Sequence, residues 1–234
     1  MKKVSCIICT YNEETRISRV LKVVSDHPLI NEVIVVDDCS TDNTVKDVLR
    51  FKGVKLIRHK KNLGKSLSMR DGCNKTKNDL IIFLDVDLVG LTQNNITHLI
   101  KPVIDGLVDM TISMRKNTFF LYKILGHDFI SGERVIKKDA ALKILKDVPG
   151  YGAEVKINQY ILDNNLKFLV VRWSNVTHTT KQKKEGIIKG WFHDLIMFKQ
   201  IFNVVPFFEF VKQMLIMSWL SVGYKKELKN KIPQ

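Results

Sequence analysis

Two carboxylates, Asp85 and Asp87, close a run of five apolar residues, Leu80-Ile81-Ile82-Phe83-Leu84. Residues i and i+2 of an extended chain point to the same side. The pair can therefore converge on one divalent cation, or on a cation and a sugar hydroxyl. Acids also favour the polar turns that end strands, so the pair gains meaning only from what is gathered beside it.

The elements that would position such a pair form an alternating series. Val4–Thr10 reads as a buried strand, followed by the loop Tyr11-Asn12-Glu13 and a helix over Glu14–Ser25 with Ile17, Val20, Leu21 and Val24 at helical spacing. Glu32–Val36 is a strand ending in Asp37-Asp38, and Ser40-Thr41-Asp42-Asn43-Thr44 offers N-caps to a helix through Arg50. Val54–Arg58 is a third strand, Asn62-Leu63-Gly64-Lys65 starts the next helix, and Leu80–Leu84 is the fourth strand. Continuous apolar strands alternating with helices imply a parallel α/β sheet covered on both faces. Ligands of such sheets bind beyond the carboxyl ends of the strands. Glu13, Asp37/Asp38 and Asp85/Asp87 all follow strand ends, which concentrates acids on one rim.

Beyond Asp87 the pattern reads as mixed. A helix is expected over Asn94–Ile104, strands over Asp109–Met114 and Gly132–Ile136, and a short helix over Ala140–Leu145. Gly150-Tyr151-Gly152 opens a longer helix to about Asp163, and Lys167–Val171 is a last strand ending near Thr177-His178. No internal repeat or low-complexity linker interrupts the chain.

The chain has 234 residues, 45% of them hydrophobic, enough for one large domain or two tightly joined halves. A formal net charge of +14 points to an anionic partner. Met1-Lys2-Lys3 runs straight into a strand-like segment, so no leader peptide is expected. Cys6 and Cys9 form a C-x-x-C inside a strand, where an odd separation sends them to opposite faces. That disfavours a metal or redox role and leaves a reduced, cytoplasmic protein as the simpler reading.

Taken in order, Thr10-Tyr11-Asn12-Glu13, Val36-Asp37-Asp38-Cys39-Ser40-Thr41-Asp42, Asn62-Leu63-Gly64-Lys65 and Asp85-Val86-Asp87 resemble the family 2 glycosyltransferases of the GT-A fold, among them the polyprenyl-phosphate hexosyltransferases. The resemblance is close over residues 1–90 and looser to about 190. It implies a Rossmann-like, mostly parallel α/β sheet with helices on both faces, a nucleotide-binding half (1–88), an acceptor half (89–180), and a C-terminal helical extension (181–234). By resemblance Thr10, Tyr11 and Glu13 would line the nucleotide pocket, and Asp37 or Asp38 would bind the base, since a carboxylate can accept the ring N–H of uracil or guanine. Lys65 would approach a phosphate or the base. Asp85 would contact the ribose or share the metal, and Asp87 would hold Mn²⁺ or Mg²⁺ against the diphosphate. In the related mannosyltransferases a glutamine follows two residues on, where Val89 stands here. His178 is the substitute third ligand, and the lysines after it, Lys181 first, would face the phosphates; a solvated basic face is the alternative. Glu154 is expected as general base on the acceptor hydroxyl or as an acid favoured at a helix start. Arg134, in Ser131-Gly132-Glu133-Arg134, would face an anionic acceptor or the diphosphate.

The expected reaction is hexose transfer from a UDP- or GDP-sugar to an acceptor, with a polyprenyl phosphate or other membrane-associated acceptor and inversion of configuration as first choice. The Gly-rich stretch before Glu154 also resembles that of the retaining glucosyl-3-phosphoglycerate synthases, which keeps a small anionic acceptor as the alternative. A sugar nucleotidyltransferase fits less well, because the first loop lacks a Gly-rich, basic triphosphate cradle. Nucleic acid is disfavoured by the acidic rim.

At the C-terminus Ile187, Ile188, Trp191, Leu195, Phe198 and Phe202 form one helical stripe. Residues 206–222 are apolar nearly all round but too short and too charged to span a bilayer. These helices either lie on an anionic membrane, helped by Lys225, Lys226, Lys229 and Lys231, or cover the core or a second copy in a homodimer. Peripheral placement on the cytoplasmic face of a membrane is the expectation.

Overall fold

The computed structural model describes residues 3–150, 152–179, 195–196 and 199–228. Its nine strands and eight principal helices follow the chain as β1 (Val4–Thr10), α1 (Arg16–Val24), β2 (Ile30–Asp37), α2 (Thr44–Leu49), β3 (Val54–Arg58), α3 (Lys65–Lys75), β4 (Leu80–Leu84), β5 (Leu88–Val89), α4 (Gln93–Ile104), β6 (Met110–Arg115), α5 (Phe120–Leu125), β7 (Arg134–Lys137), α6 (Lys138–Leu145), α7 (Ala153–Asp163), β8 (Phe168–Trp173), β9 (Thr177–His178) and α8 (Phe207–Leu228). Seven strands form one sheet in the order β3-β2-β1-β4-β7-β6-β8. All run parallel except β7, which is antiparallel to both neighbours. That single reversal is why the second half reads as mixed.

Strand alternation divides the core in two. On β4, Leu80, Ile82 and Leu84 join a cluster with α1, α2 and α4, whereas Ile81 and Phe83 join one with α3, α5, α6, α7 and α8. Cys6 packs in the first cluster and Cys9 borders the second, on opposite faces of β1, and all four cysteines are free. Ile201, Val205, Phe210 and Met217 complete the second cluster, so the C-terminal residues described here close this core. One more step past Leu84 keeps the alternation: Val86 falls to the first cluster, and Asp85 reaches the second face, where α3 and α7 begin.

Two local differences from the sequence reading, and one agreement with it, have physical causes. The first helix starts at Arg16 rather than Glu14, because Asn12 (φ 52°) and Thr15 (φ 63°) adopt left-handed backbone incompatible with a helical turn. The second helix starts at Thr44 behind Asn43, one of the offered caps, because residues 40–42 are engaged by the first loop: Asn12 N donates to Ser40 Oγ, Thr41 N to Asn12 Oδ1 and Glu14 N to Asp42 Oδ2. Strands β5 and β9 pair Leu88 with His178 and Val89 with Thr177, a ladder too short for any periodicity to announce.

Candidate active site

The carboxyl ends of β1, β2 and β4 open on a cleft of about 1130 Å³, at the upper end of what small-ligand sites occupy. It is lined by Thr10, Tyr11, Glu13, Asp38, Lys65, Asp85, Asp87, Arg115, Glu154 and His178, among others. Most of the residues singled out in the sequence thus meet in one place.

The wall at the ends of β1 and β2 is made by loops stitched to one another through short polar side chains. Glu13 N donates to Thr44 Oγ1 and Thr15 N to Asp47 Oδ2. Buried Asp38 accepts from Leu63 N and Gly64 N, both at 2.8 Å, and from His59 Nδ1 at 2.7 Å. It therefore fixes the Asn62-Leu63-Gly64 loop that launches α3. Asp37 is fully buried behind the wall, within reach of Ser40 N and Arg58 Nε, and its Oδ1 has no hydrogen-bond partner among the described residues. Asp38, not Asp37, borders the cleft. Thr10 is buried at the cleft floor and Tyr11 stands half-exposed at its mouth. Glu13 accepts from Arg16 at 2.8 Å.

The opposite wall is held by charge. Lys65 Nζ lies 2.8 Å from Asp85 Oδ1 and 2.7 Å from Glu154 Oε1, bridging the N-termini of α3 and α7 to the end of β4. Burial would discharge this lysine, but the two carboxylates outweigh it and hold the ammonium well above its ordinary pKa. Burial likewise opposes ionisation of Asp85, yet Lys65 and Arg115 hold its carboxyl below the usual range. Arg115 NH1 is 3.5 Å from Asp85 Oδ2 and 3.1 Å from Glu133 Oε1, and its NH2 is 3.4 Å from Asp128 Oδ2. Glu133 and Asp128 also accept from Ser113, Ser131 and Thr118. Gly132 permits this crowding, since a Cβ there would come within 2.5 Å of Asp85 Oδ1.

Asp87 and His178 are brought side by side by the β5–β9 pair: Leu88 pairs with His178, and Thr179 N donates to the Asp87 carbonyl at 3.2 Å. Asn117 fixes the imidazole, its Oδ1 lying 3.1 Å from His178 Nδ1 while its amide donates to the His178 carbonyl. Burial first, and Arg115 next, disfavour a charged imidazole here, leaving the neutral form that could bind a metal. Among the described residues, no three His, Cys, Asp or Glu side chains are gathered closely enough to form a protein-only metal site. The donors present fit an open site instead, in which substrate oxygens complete the shell.

Arg134 corrects an expectation. It is buried at 1% exposure under the cleft, donating to Ser131 O, Phe129 O and Asn158 Oδ1 at 2.8, 3.1 and 2.6 Å. Burial lowers its pKa to about 10. It braces β7 against α7 and is not among the residues that line the cleft. Arg16 and Arg115 are the arginines in that lining, and Arg115, which the sequence reading missed, is the one beside Asp85; its place at the last residue of a buried strand was the available signal. Lys181 lies outside the described residues.

The family model described as "Glycosyl transferase family 2" matches residues 5–150. The chain is 32% identical to the inactive polypeptide N-acetylgalactosaminyltransferase-like protein 5 of Mus musculus, over 52% of this chain and 37% of that protein. It is 29% identical to a dolichyl-phosphate beta-glucosyltransferase of Trichomonas vaginalis, over 53% of this chain and 45% of that one. This chain thus spans less than half the length of either relative. Among solved structures, glucosyl-3-phosphoglycerate synthase of Mycobacterium tuberculosis, in complex with Mn²⁺, UDP and glucosyl-3-phosphoglycerate, superposes with a TM-score of 0.72 at 20% identity, covering 87% of this chain and 80% of that one. That likeness establishes the GT-A fold.

Proposed function

Because the chain belongs to glycosyl transferase family 2, we propose that it transfers a hexose from a UDP- or GDP-sugar to a lipid phosphate, with inversion at the anomeric carbon. The observation that carries this reading is the single cleft joining Asp38 and Lys65 on one side with Asp85, Asp87, Glu154 and His178 on the other. The nucleotide lies against Thr10, Tyr11, Glu13 and Asp38, and the diphosphate reaches toward Asp87 and His178. Those two residues would hold Mn²⁺ or Mg²⁺, with Asp85, already engaged by Lys65 and Arg115, contacting the ribose or sharing the ion. Bound there, the ion neutralises charge that builds on the departing diphosphate.

Lys65 adds a fixed cation in a partly buried setting, where preorganised charge is most effective. The acceptor oxygen forms its bond to the anomeric carbon as the bond from that carbon to the diphosphate oxygen breaks. A lipid phosphate enters already ionised and needs no base. A hydroxyl acceptor would pass its proton to Glu154 Oε. The dolichyl-phosphate specificity of the Trichomonas relative supports the first acceptor class.

The test is a panel of UDP- and GDP-sugars with Mn²⁺ or Mg²⁺, read first by melting temperature and then by mass spectrometry of products on lipid-phosphate and water-soluble acceptors. A nucleotide at about 100 times its dissociation constant contributes about 2.7 kcal/mol of apparent stability. If no nucleotide raises the melting temperature, with or without metal, the reading falls. Product on a small anionic acceptor alone, with the anomeric configuration retained by NMR, would replace it with the retaining alternative.

A further inference from the structure

Helix α5 carries an outer face that its fold does not cover. Tyr122 turns inward to the second core cluster, while Phe119, Phe120, Leu121 and Ile124 face solvent, Phe120 at 77% exposure. Helix α8 repeats the arrangement. Phe210, Gln213, Met217 and Ser221 are buried, and the opposite stripe of Phe208, Leu215 and Trp219 is exposed, at 84% for Phe208 and 77% for Trp219. The helices are joined where Ser218 Oγ donates to the Leu125 carbonyl at 2.5 Å, so the two apolar faces flank one junction.

We propose that the α5–α8 face is a docking surface for an anionic lipid bilayer, and that it presents the cleft mouth to the membrane plane. Three observations select this occupant. First, exposed lysines sit on the same helices, Lys123 on α5 and Lys212 on α8, with exposed Lys116 and Lys199 in the chain before each, in a protein of net charge +14. The acid on this stripe, Glu209, is already offset by Lys212 at 3.7 Å. Aromatic and aliphatic residues with a lysine fringe suit the headgroup boundary of anionic lipid. Second, among the described residues no helix is long and apolar enough to cross a membrane, so contact of this surface with a bilayer would be peripheral. Third, Phe119 is at once part of the exposed face and part of the cleft lining. A headgroup phosphate at that level meets the cleft without the lipid tail leaving the bilayer. This last point rests on the lipid-phosphate reading; bilayer binding itself does not.

The test is co-sedimentation of the full chain with phosphatidylcholine vesicles, with and without phosphatidylglycerol, beside Phe120→Asp and Trp219→Asp. The unaltered chain is expected in the pellet with anionic vesicles, and each substitution is expected to reduce recovery at least tenfold. Because either substitution could disturb folding, the unaltered chain is also followed by quenching with brominated lipid. Quenching is expected and should be largely lost in Trp219→Phe. Equal recovery of variants and unaltered chain, no recovery at all, or quenching unchanged by Trp219→Phe overturns the proposal. So does a chain that is dimeric in solution and made monomeric by Phe120→Asp with vesicle binding unaltered, since the face is then an interface between copies. Vesicle binding without any nucleotide-sugar turnover would leave this inference standing and remove the functional reading; turnover without vesicle binding would do the reverse.

Discussion

The two walls of the cleft are built on different principles. On the first wall, at the ends of β1 and β2, backbone N–H groups of residues 12–15 and 63–64 are held by Ser40, Thr44, Asp42, Asp47 and Asp38. These bonds join neighbouring loops that lie 25 to 32 residues apart in the chain, and they are directional and independent of any ligand. On the opposite wall, Lys65, Arg115, Asp85, Glu154, Asp128 and Glu133 satisfy one another by charge. The first wall is a finished shape. The second is a set of internal ion pairs, whose charges an anionic ligand would compete for.

The sharpest way to break this contrast is Arg115→Met. It strands the buried carboxylates of Glu133 and Asp128, and removing one partner of a buried ion network costs about 3–5 kcal/mol. Denaturant unfolding should show that loss, and a change below about 1 kcal/mol would mean the network is not a structural unit. Asp87→Asn is next. It should leave the melting temperature nearly unchanged while turnover falls by about 10²–10³-fold, the range for losing one preorganised charge contact at a transition state. Retained turnover would remove Asp87 from the donor site.

Acid should act on His127, a neighbour of the second wall beside Asp128. Burial lowers His127 to about 4, below the unfolded value of about 6.5. A depressed histidine leaves the unfolded chain holding more protons in that interval. Stability is therefore expected to fall as pH drops from about 6.5 to 4, by on the order of 3 kcal/mol in all. Replacing the ring with His127→Phe should flatten that limb of a pH-melting curve; an unchanged limb would place the effect elsewhere. The smallest effect is expected from Asp42→Ala on the first wall, about 1–2 kcal/mol by urea unfolding, because it orphans the N–H groups of Thr44 and Glu14 near solvent.

The same contrast explains what could be read from the sequence. The first wall belongs to alternating β and α segments with unbroken apolar strands, so residues 4–84 were legible to within a few positions. The Asp37/Asp38 choice was not, because both follow the same strand; only the fold puts Asp38 at the cleft and Asp37 behind it. The second wall depends on the reversed strand β7 and on Gly132, whose role is to make room for a carboxylate from a strand 47 residues earlier in the chain. Spacing along a sequence carries no such information, which is why Arg134 was named there and Arg115 was not. Helix α5 was missed because an apolar hexamer, Phe120–Leu125, with most of its side chains outward has no inward face to mark its period.

The tie between Ser66 and the Gly150 carbonyl, made by both the hydroxyl at 2.7 Å and the backbone N–H at 3.1 Å, joins residues 84 apart. It holds the starts of α3 and α7 together, and with them Lys65 and Glu154. Contacts of such separation form late, since the loop must close before they contribute. In the order of folding, then, the parallel strands can assemble while the reactive centre does not yet exist. A chain emerging during synthesis acquires its charge-bearing wall only after residue 150 has been delivered to the sheet that was waiting for it.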